Sequence, residues 1–107
     1  MSHRYRQYVF LLITVISAGC CKESDVPAAL SGLYAREPRE RNRSLQVLAQ
    51  CPAMAESAVP RITSLMYDSN VGVASSAAYA LRRIDSKEAR QALKLAEEAR
   101  SRQRGAK

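Results

Sequence analysis

The sequence predicts an all-α fold, a short right-handed-type helical solenoid of about two and a half helix pairs. Three observations carry that expectation. Apolar residues recur at three-and-four spacing in five separate stretches, which lines one face of a helix. Proline stands near the start of three of these stretches, at Pro27, Pro38 and Pro60. A proline is harmless there because the opening amides of a helix have no intrahelical partner to lose. An ungapped shift of 33 residues also lays Val26-Pro27 on Val59-Pro60, Ser31 on Ser64, Tyr34 on Tyr67 and Leu48 on Leu81. A period of that length built from helix pairs marks a solenoid.

In chain order, Asp25 is placed to cap a first helix that runs to about Tyr34, with Val26, Ala29, Leu30 and Leu33 inward. Gly32 weakens it slightly. The charged run from Arg36 to Arg43 turns the chain and enters a second helix at Pro38; Leu45, Leu48 and Ala49 form its inner face, Val47 flanks it, and Pro52 ends it. Mixed Arg and Glu at this density predict a solvated, self-paired surface. The third helix buries Ala58, Val59, Ile62, Leu65 and Met66. Asp68, Ser69, Asn70 and Gly72 then supply turn and cap chemistry. The fourth helix carries Val73, Ala77, Ala80, Leu81 and Ile84 on one face. Asp85-Ser86 with Glu88 read as a cap and an acidic first turn for a fifth helix, whose inner face is Ala89, Ala92, Leu93 and Ala96. Arg100, Arg102, Arg104 and Lys107 have no apolar partners, so residues 100–107 are expected to be a disordered basic tail.

The unit from residue 58 to residue 84 resembles the HEAT-repeat family. The resemblance lies in Ala58-Val59-Pro60 opening one helix, Asp68 in the turn, and Val73, Ala77, Ala80 and Leu81 along the next. The family commonly has Arg after that valine, where this chain has Ala74. Membership would make residues 26–99 a HEAT-like domain in which the second helix of each pair lines a concave, protein-binding side. On that helix Ser75, Tyr79, Arg82 and Arg83 face away from the apolar stripe, and the 33-residue shift sets Asn42, Gln46, Ala49 and Gln50 beside them. The candidate partner-binding residues are therefore Tyr79, Arg82, Arg83, Asn42 and Gln46. An aromatic ring beside guanidinium groups and amides suits an acidic or carboxylate-bearing protein surface.

The N-terminus has a different character. His3, Arg4 and Arg6 make a basic start, Val9 to Ile16 is apolar except for Thr14, and Ser17-Ala18-Gly19 leads to Cys20. These are the three parts of a secretory signal, and the apolar run is too short to span a bilayer, which takes about 20 residues. The segment ISAGC resembles the bacterial lipobox, with Ser17 where leucine is commonest. The resemblance implies a signal peptide over residues 1–19, lipidation of Cys20, a tether over residues 20–25, and an address in the cell envelope, outside the cytoplasm. The alternatives are an ordinary secretory signal cleaved before Cys20 and an uncleaved anchor. Cys21 and Cys51 could then form a disulfide in an oxidising compartment. The favoured expectation is instead that Cys51 packs as a small hydrophobe and Cys21 stays free, because two cysteines do not make a framework.

Composition narrows the function classes. The whole chain has 17 Lys and Arg against 10 Asp and Glu, and loss of the signal would leave 15 against 10. An exported basic protein meets anionic headgroups, glycans and acidic proteins rather than nucleic acid. The one histidine, His3, leaves with the signal, and no thiol set has ligand spacing, so no metal or other cofactor is expected. No phosphate-cradling loop, nucleophile elbow or metalloprotease motif is present. Glu97 and Glu98 are sequence neighbours about 100° apart on a helix, which rules them out as a facing acid and base. The expectation is thus not an enzyme but an envelope lipoprotein with an adaptor or assembly module for another envelope protein. The alternative is a structural lipoprotein that holds anionic lipid or glycan through its basic residues. Solenoids usually stack three or more repeats, so so short a stack is expected to lean on a partner or a second copy of itself.

Overall fold

The computed structural model describes residues 21–105, and those residues form five α-helices and no strand. The helices are α1 (Val26–Gly32), α2 (Pro38–Gln50), α3 (Val59–Leu65), α4 (Val71–Ile84) and α5 (Lys87–Gly105). Short 3-10 turns at Glu23–Asp25, Pro52–Met54 and Glu56–Ala58 precede α1 and link α2 to α3. Cys20 and the signal-like segment lie outside the described residues.

Each helix starts and stops for a local reason. Prolines occupy the first turn of α1, α2 and α3, as their missing N–H dictates. Asn70 caps α4 by accepting from the Val73 N–H at 3.0 Å, and Asp68 Oδ1 accepts from the Asn70 N–H at 2.9 Å, which fixes the turn between α3 and α4. Ser86 Oγ accepts from the Ala89 N–H at 3.1 Å and opens α5. Asp85, between α4 and α5, takes a left-handed conformation with φ 52°, a conformation Asp tolerates better than most residues. Three sequence expectations fail at the ends of helices. Asp25 makes no cap bond, because it is folded into the 3-10 turn before α1, and α1 stops at Gly32 rather than Tyr34. At the other terminus α5 stays helical through Gly105, where disorder was expected from Arg100 onward. Its last turns are rich in good helix formers and carry an exposed Glu97–Arg104 pair at 3.4 Å.

α1 lies against α2, α3 against α4, and α2 and α4 make the most extensive contact among the described helices, with α5 closing against α4 and α3. Positions related by the 33-residue shift are buried together: Val26 with Val59, Ala29 with Ile62, Leu33 with Met66, and Leu48 with Leu81. The core is completed by Leu45, Leu65, Val73, Ala77, Ala80 and Ala89. All the positions expected to face inward on α3 are buried, and so are those on α4 except Ile84, which is half-buried. The α1–α2 hairpin is tight because residue 32 has no side chain. A Cβ built there would stand 2.0 Å from Ser44 Oγ, itself the one buried polar side chain among the described residues.

The cysteine expectation is overturned. Cys21 is bonded to Cys51, 30 positions on in sequence, with their Cα atoms 5.1 Å apart. Folding the chain at the α1–α2 turn returns the end of α2 to the segment just before α1, which makes this pairing a consequence of topology that spacing alone does not reveal.

Candidate functional site

Three of the side chains expected to face outward on α2 and α4, Gln46, Ser75 and Tyr79, come together on a shallow groove. α2 and α4 run in parallel, as two contacts at matching depths show: the Ser76 hydroxyl donates to Asn42 Oδ1 near their first turns, and Arg83 Nε donates to the Ala49 carbonyl at 3.3 Å in their last. Between these contacts lies a groove of about 290 Å³ with Leu45 as its floor and Gln46, Ser75, Ser76 and Tyr79 as its walls. The Tyr79 ring is half exposed. The groove exposes the Tyr79 ring beside amide and hydroxyl groups that can form hydrogen bonds, while Leu45 beneath it is fully buried.

The structure thus keeps Gln46 and Tyr79 on one surface. Asn42 is spent at the groove's edge on Ser76, and Arg83 is turned onto the end of α2. Arg82 is exposed beside it and forms no ion pair among the described residues. Ala49, expected both on the inner face of α2 and beside these residues, lies on the inner face, being 3% exposed. The shift aligns Ala49 with Arg82, yet Ala49 is buried and Arg82 exposed.

The opposite end of the stack holds the features that the sequence reading missed. Arg41, inside the run expected to be self-paired and solvated, is largely buried. Its NH1 donates to the carbonyls of Ala35 and Arg36 at 2.8 Å each, and its NH2 to Asp68 Oδ1 at 3.2 Å. Its Nε faces Asp68 Oδ2 at 3.1 Å as a charge contact rather than an aligned hydrogen bond. The Asn70 N–H, then Arg41, hold the Asp68 carboxyl below the usual aspartate range, against a burial that pushes it up. Arg61 does the parallel job one helix over. Its Nε and NH2 donate to the Leu33 carbonyl at 3.2 and 3.0 Å, and its guanidinium stacks 4.5 Å from the centre of the Tyr34 ring. Tyr34, Tyr67 and Val71 all stand exposed at this end. The repeat match of Tyr34 with Tyr67 was the available signal for them.

A second groove of about 390 Å³ lies along α1 and α2, where Asp25, Glu40 and Arg43 mix both charges around Gly32 and Ser44. Among the described residues no helix is long and apolar enough to cross a membrane, and no three His, Cys, Asp or Glu side chains cluster as metal ligands. No protein-family model, no curated protein and no solved structure matches the chain.

Proposed function

We propose that this protein is an envelope lipoprotein, anchored by lipid on Cys20, whose short HEAT-like solenoid serves as an adaptor or assembly module for another envelope protein. The observation that carries the reading is the groove between α2 and α4, an aromatic and amide-lined surface that no other described element covers. Two further features support it. The second helices of the two pairs lie side by side, which is where the HEAT resemblance puts a binding side, and ISAGC stands just ahead of the folded domain. The residues assigned to the partner are Tyr79 and Gln46 in the groove, with Asn42, Arg82 and Arg83 at its margins.

The anchor is tested by Cys20→Ala, which should block acylation and maturation. A variant that matures to the wild-type mass and stays with membranes would remove Cys20 from the reading. The groove is tested by Tyr79→Ala with Gln46→Ala, both exposed, so helical circular dichroism should be unchanged. Recovery of a specific partner by crosslinking in the native membrane should fall several-fold. A partner held through the Tyr79 ring and amide hydrogen bonds should also stay bound in moderate salt, whereas one held through surface charge should not.

One observation favours a second reading. Arg100 and Arg102 stand exposed on the last turns of α5 and suit anionic lipid or glycan. Loss of binding in moderate salt, and on Arg100→Gln with Arg102→Gln, would favour that reading over the groove.

A further inference from the structure

We propose that the groove between α1 and α2 binds a short peptide that carries two amines and one carboxylate, as a dipeptide ending in lysine does; this stands apart from the anchor on Cys20 and from the groove between α2 and α4. Two helix faces build the site. Asp25, Ala28, Ala29 and Gly32 line it from the α1 side, and Glu40, Arg43, Ser44 and Val47 from α2, each set at the spacing of one helical stripe. The cleft holds about 390 Å³, within the range of small-ligand sites, which begins at about 300 Å³. The 33-residue shift shows how it is opened. Ala29, Gly32, Glu40 and Ser44 correspond to Ile62, Leu65, Val73 and Ala77, all buried in the second pair. Arg43 corresponds to Ser76, which bonds Asn42 on α2, and Ala28 to Arg61, which reaches the Leu33 carbonyl, so this side of the second pair is covered by the first. Among the described residues no α-helix precedes α1, and the first pair leaves the same side open with smaller or polar residues on it.

The bare end of a helical stack needs only to be polar. This one is also hollow, and its polar groups are unspent. Asp25, Glu40 and Arg43 form no ion pair among the described residues, although Glu40 and Arg43 are one turn apart on α2. Ser44 is 7% exposed, and its hydroxyl has no hydrogen-bond partner among the described residues. A Cβ at residue 32 would stand on that oxygen, so glycine there is what leaves it accessible. Glu40 lies at the Gly32 end, its carbonyl 3.9 Å from where that Cβ would be. Asp25 lies two turns back along the groove, about 10 Å away at 1.5 Å per residue. The two carboxylates therefore mark opposite ends, with the Arg43 guanidinium and the Ser44 hydroxyl between them. Two carboxylates against one guanidinium leave one negative charge in surplus. The flanking charges outside the cleft, Lys22 with Glu23 and Glu37 with Arg39, are opposite pairs, and Arg36 lies in the turn beyond. A ligand with an amine for each carboxylate, a carboxylate for Arg43 and a peptide carbonyl for Ser44 meets every one of these groups. The aliphatic side chains of Ala28, Ala29 and Val47 cover its carbon chain.

The test is an amide-resonance titration of the full, matured protein, isotope-labelled and held in detergent micelles, with alanyl-lysine as the probe and alanyl-alanine and alanyl-glutamate as controls. Resonances of residues 25–32 and 40–47 should shift and saturate with alanyl-lysine. Both controls lack the second amine and should bind about tenfold more weakly. Asp25→Asn, Glu40→Gln and Arg43→Gln, all at exposed positions, should each weaken alanyl-lysine by about tenfold while helical circular dichroism stays as in wild type. Cadaverine, a diamine without a carboxylate, should bind more weakly than alanyl-lysine and be indifferent to Arg43→Gln. The result should not depend on whether residue 20 is acylated, so failure of the lipoprotein reading leaves this test intact. Absence of a saturable shift, equal binding of the three dipeptides, shifts centred on Gln46 and Tyr79, or binding unmoved by Glu40→Gln and Arg43→Gln would each overturn the proposal.

Discussion

Arg41 and Asp68 join the two helix pairs through a contact that neither pair could make alone. Arg41 reaches from the start of α2 to the turn before α4 and satisfies two carbonyls on the way. Replacing Asp68 with Ala leaves that guanidinium without its counter-ion. Both side chains keep about a tenth of their surface in water, so the loss should be about 1 to 3 kcal/mol, below that of a fully buried pair. The pair also predicts acid sensitivity. The folded-state value of Asp68 is the lower one, so protonation favours the unfolded chain. Its contribution is complete above the ordinary aspartate value of about 3.9 and is lost as pH falls through the lowered folded value. Urea midpoints of wild type and Asp68→Asn should therefore differ most near neutrality and converge in acid. A gap that stays constant with pH would mean that charge is not what Asp68 contributes. Gly32 offers a steric counterpart. Gly32→Ala gains helix propensity but drives a methyl into Ser44, and the net should be a loss of about 1 to 3 kcal/mol. Ser44→Ala in the same chain should recover part of it, which a simple propensity effect would not.

Among the helices, α4 carries the most weight because it packs against α2, α3 and α5 at once. Leu81 is fully buried at that junction, and Leu81→Ala should cost about 2 to 5 kcal/mol in a thermal melt of residues 21–107 with the disulfide intact. A shift under about a degree would show that the junction is not packed as described. The start of α4 is a separate, smaller test: Asn70→Ala removes the cap on Val73 and should cost about 1 kcal/mol. The α5 helix behaves differently along its length. Ala89 and Ala92 are buried, while every side chain from Arg100 to Gly105 is exposed. Ending the chain at residue 99 should change the melting point little.

For the molecule as a whole, the disulfide does what a core this small does only in part. Closing a loop of 30 residues should stabilise the fold by about 3 to 4 kcal/mol through the unfolded chain. Melts of the same protein, oxidised and fully reduced, read that difference directly. The bond also joins the least anchored segment, before α1, to the end of α2. Reduction should therefore loosen α1 before α4, visible as earlier amide exchange in residues 26–32.

Periodicity in the sequence determined the helices and their inner faces, because an apolar stripe at three-and-four spacing has to be covered whatever covers it. Val26, Ile62, Leu48 and Leu81 could be assigned to the core before any contact was known, and Asn70 and Ser86 could be assigned to caps, since both depend on neighbours within four residues. Tertiary structure alone decided the rest. Arg41 and Asp68 are 27 residues apart, Arg61 and Leu33 28, and Cys21 and Cys51 30. Local spacing says nothing about such pairs. The same limit explains Ala49, which the repeat aligned with an exposed arginine. A shift of the sequence preserves the face a residue occupies on its own helix, but whether another helix covers that face depends on which neighbours that helix has in the fold.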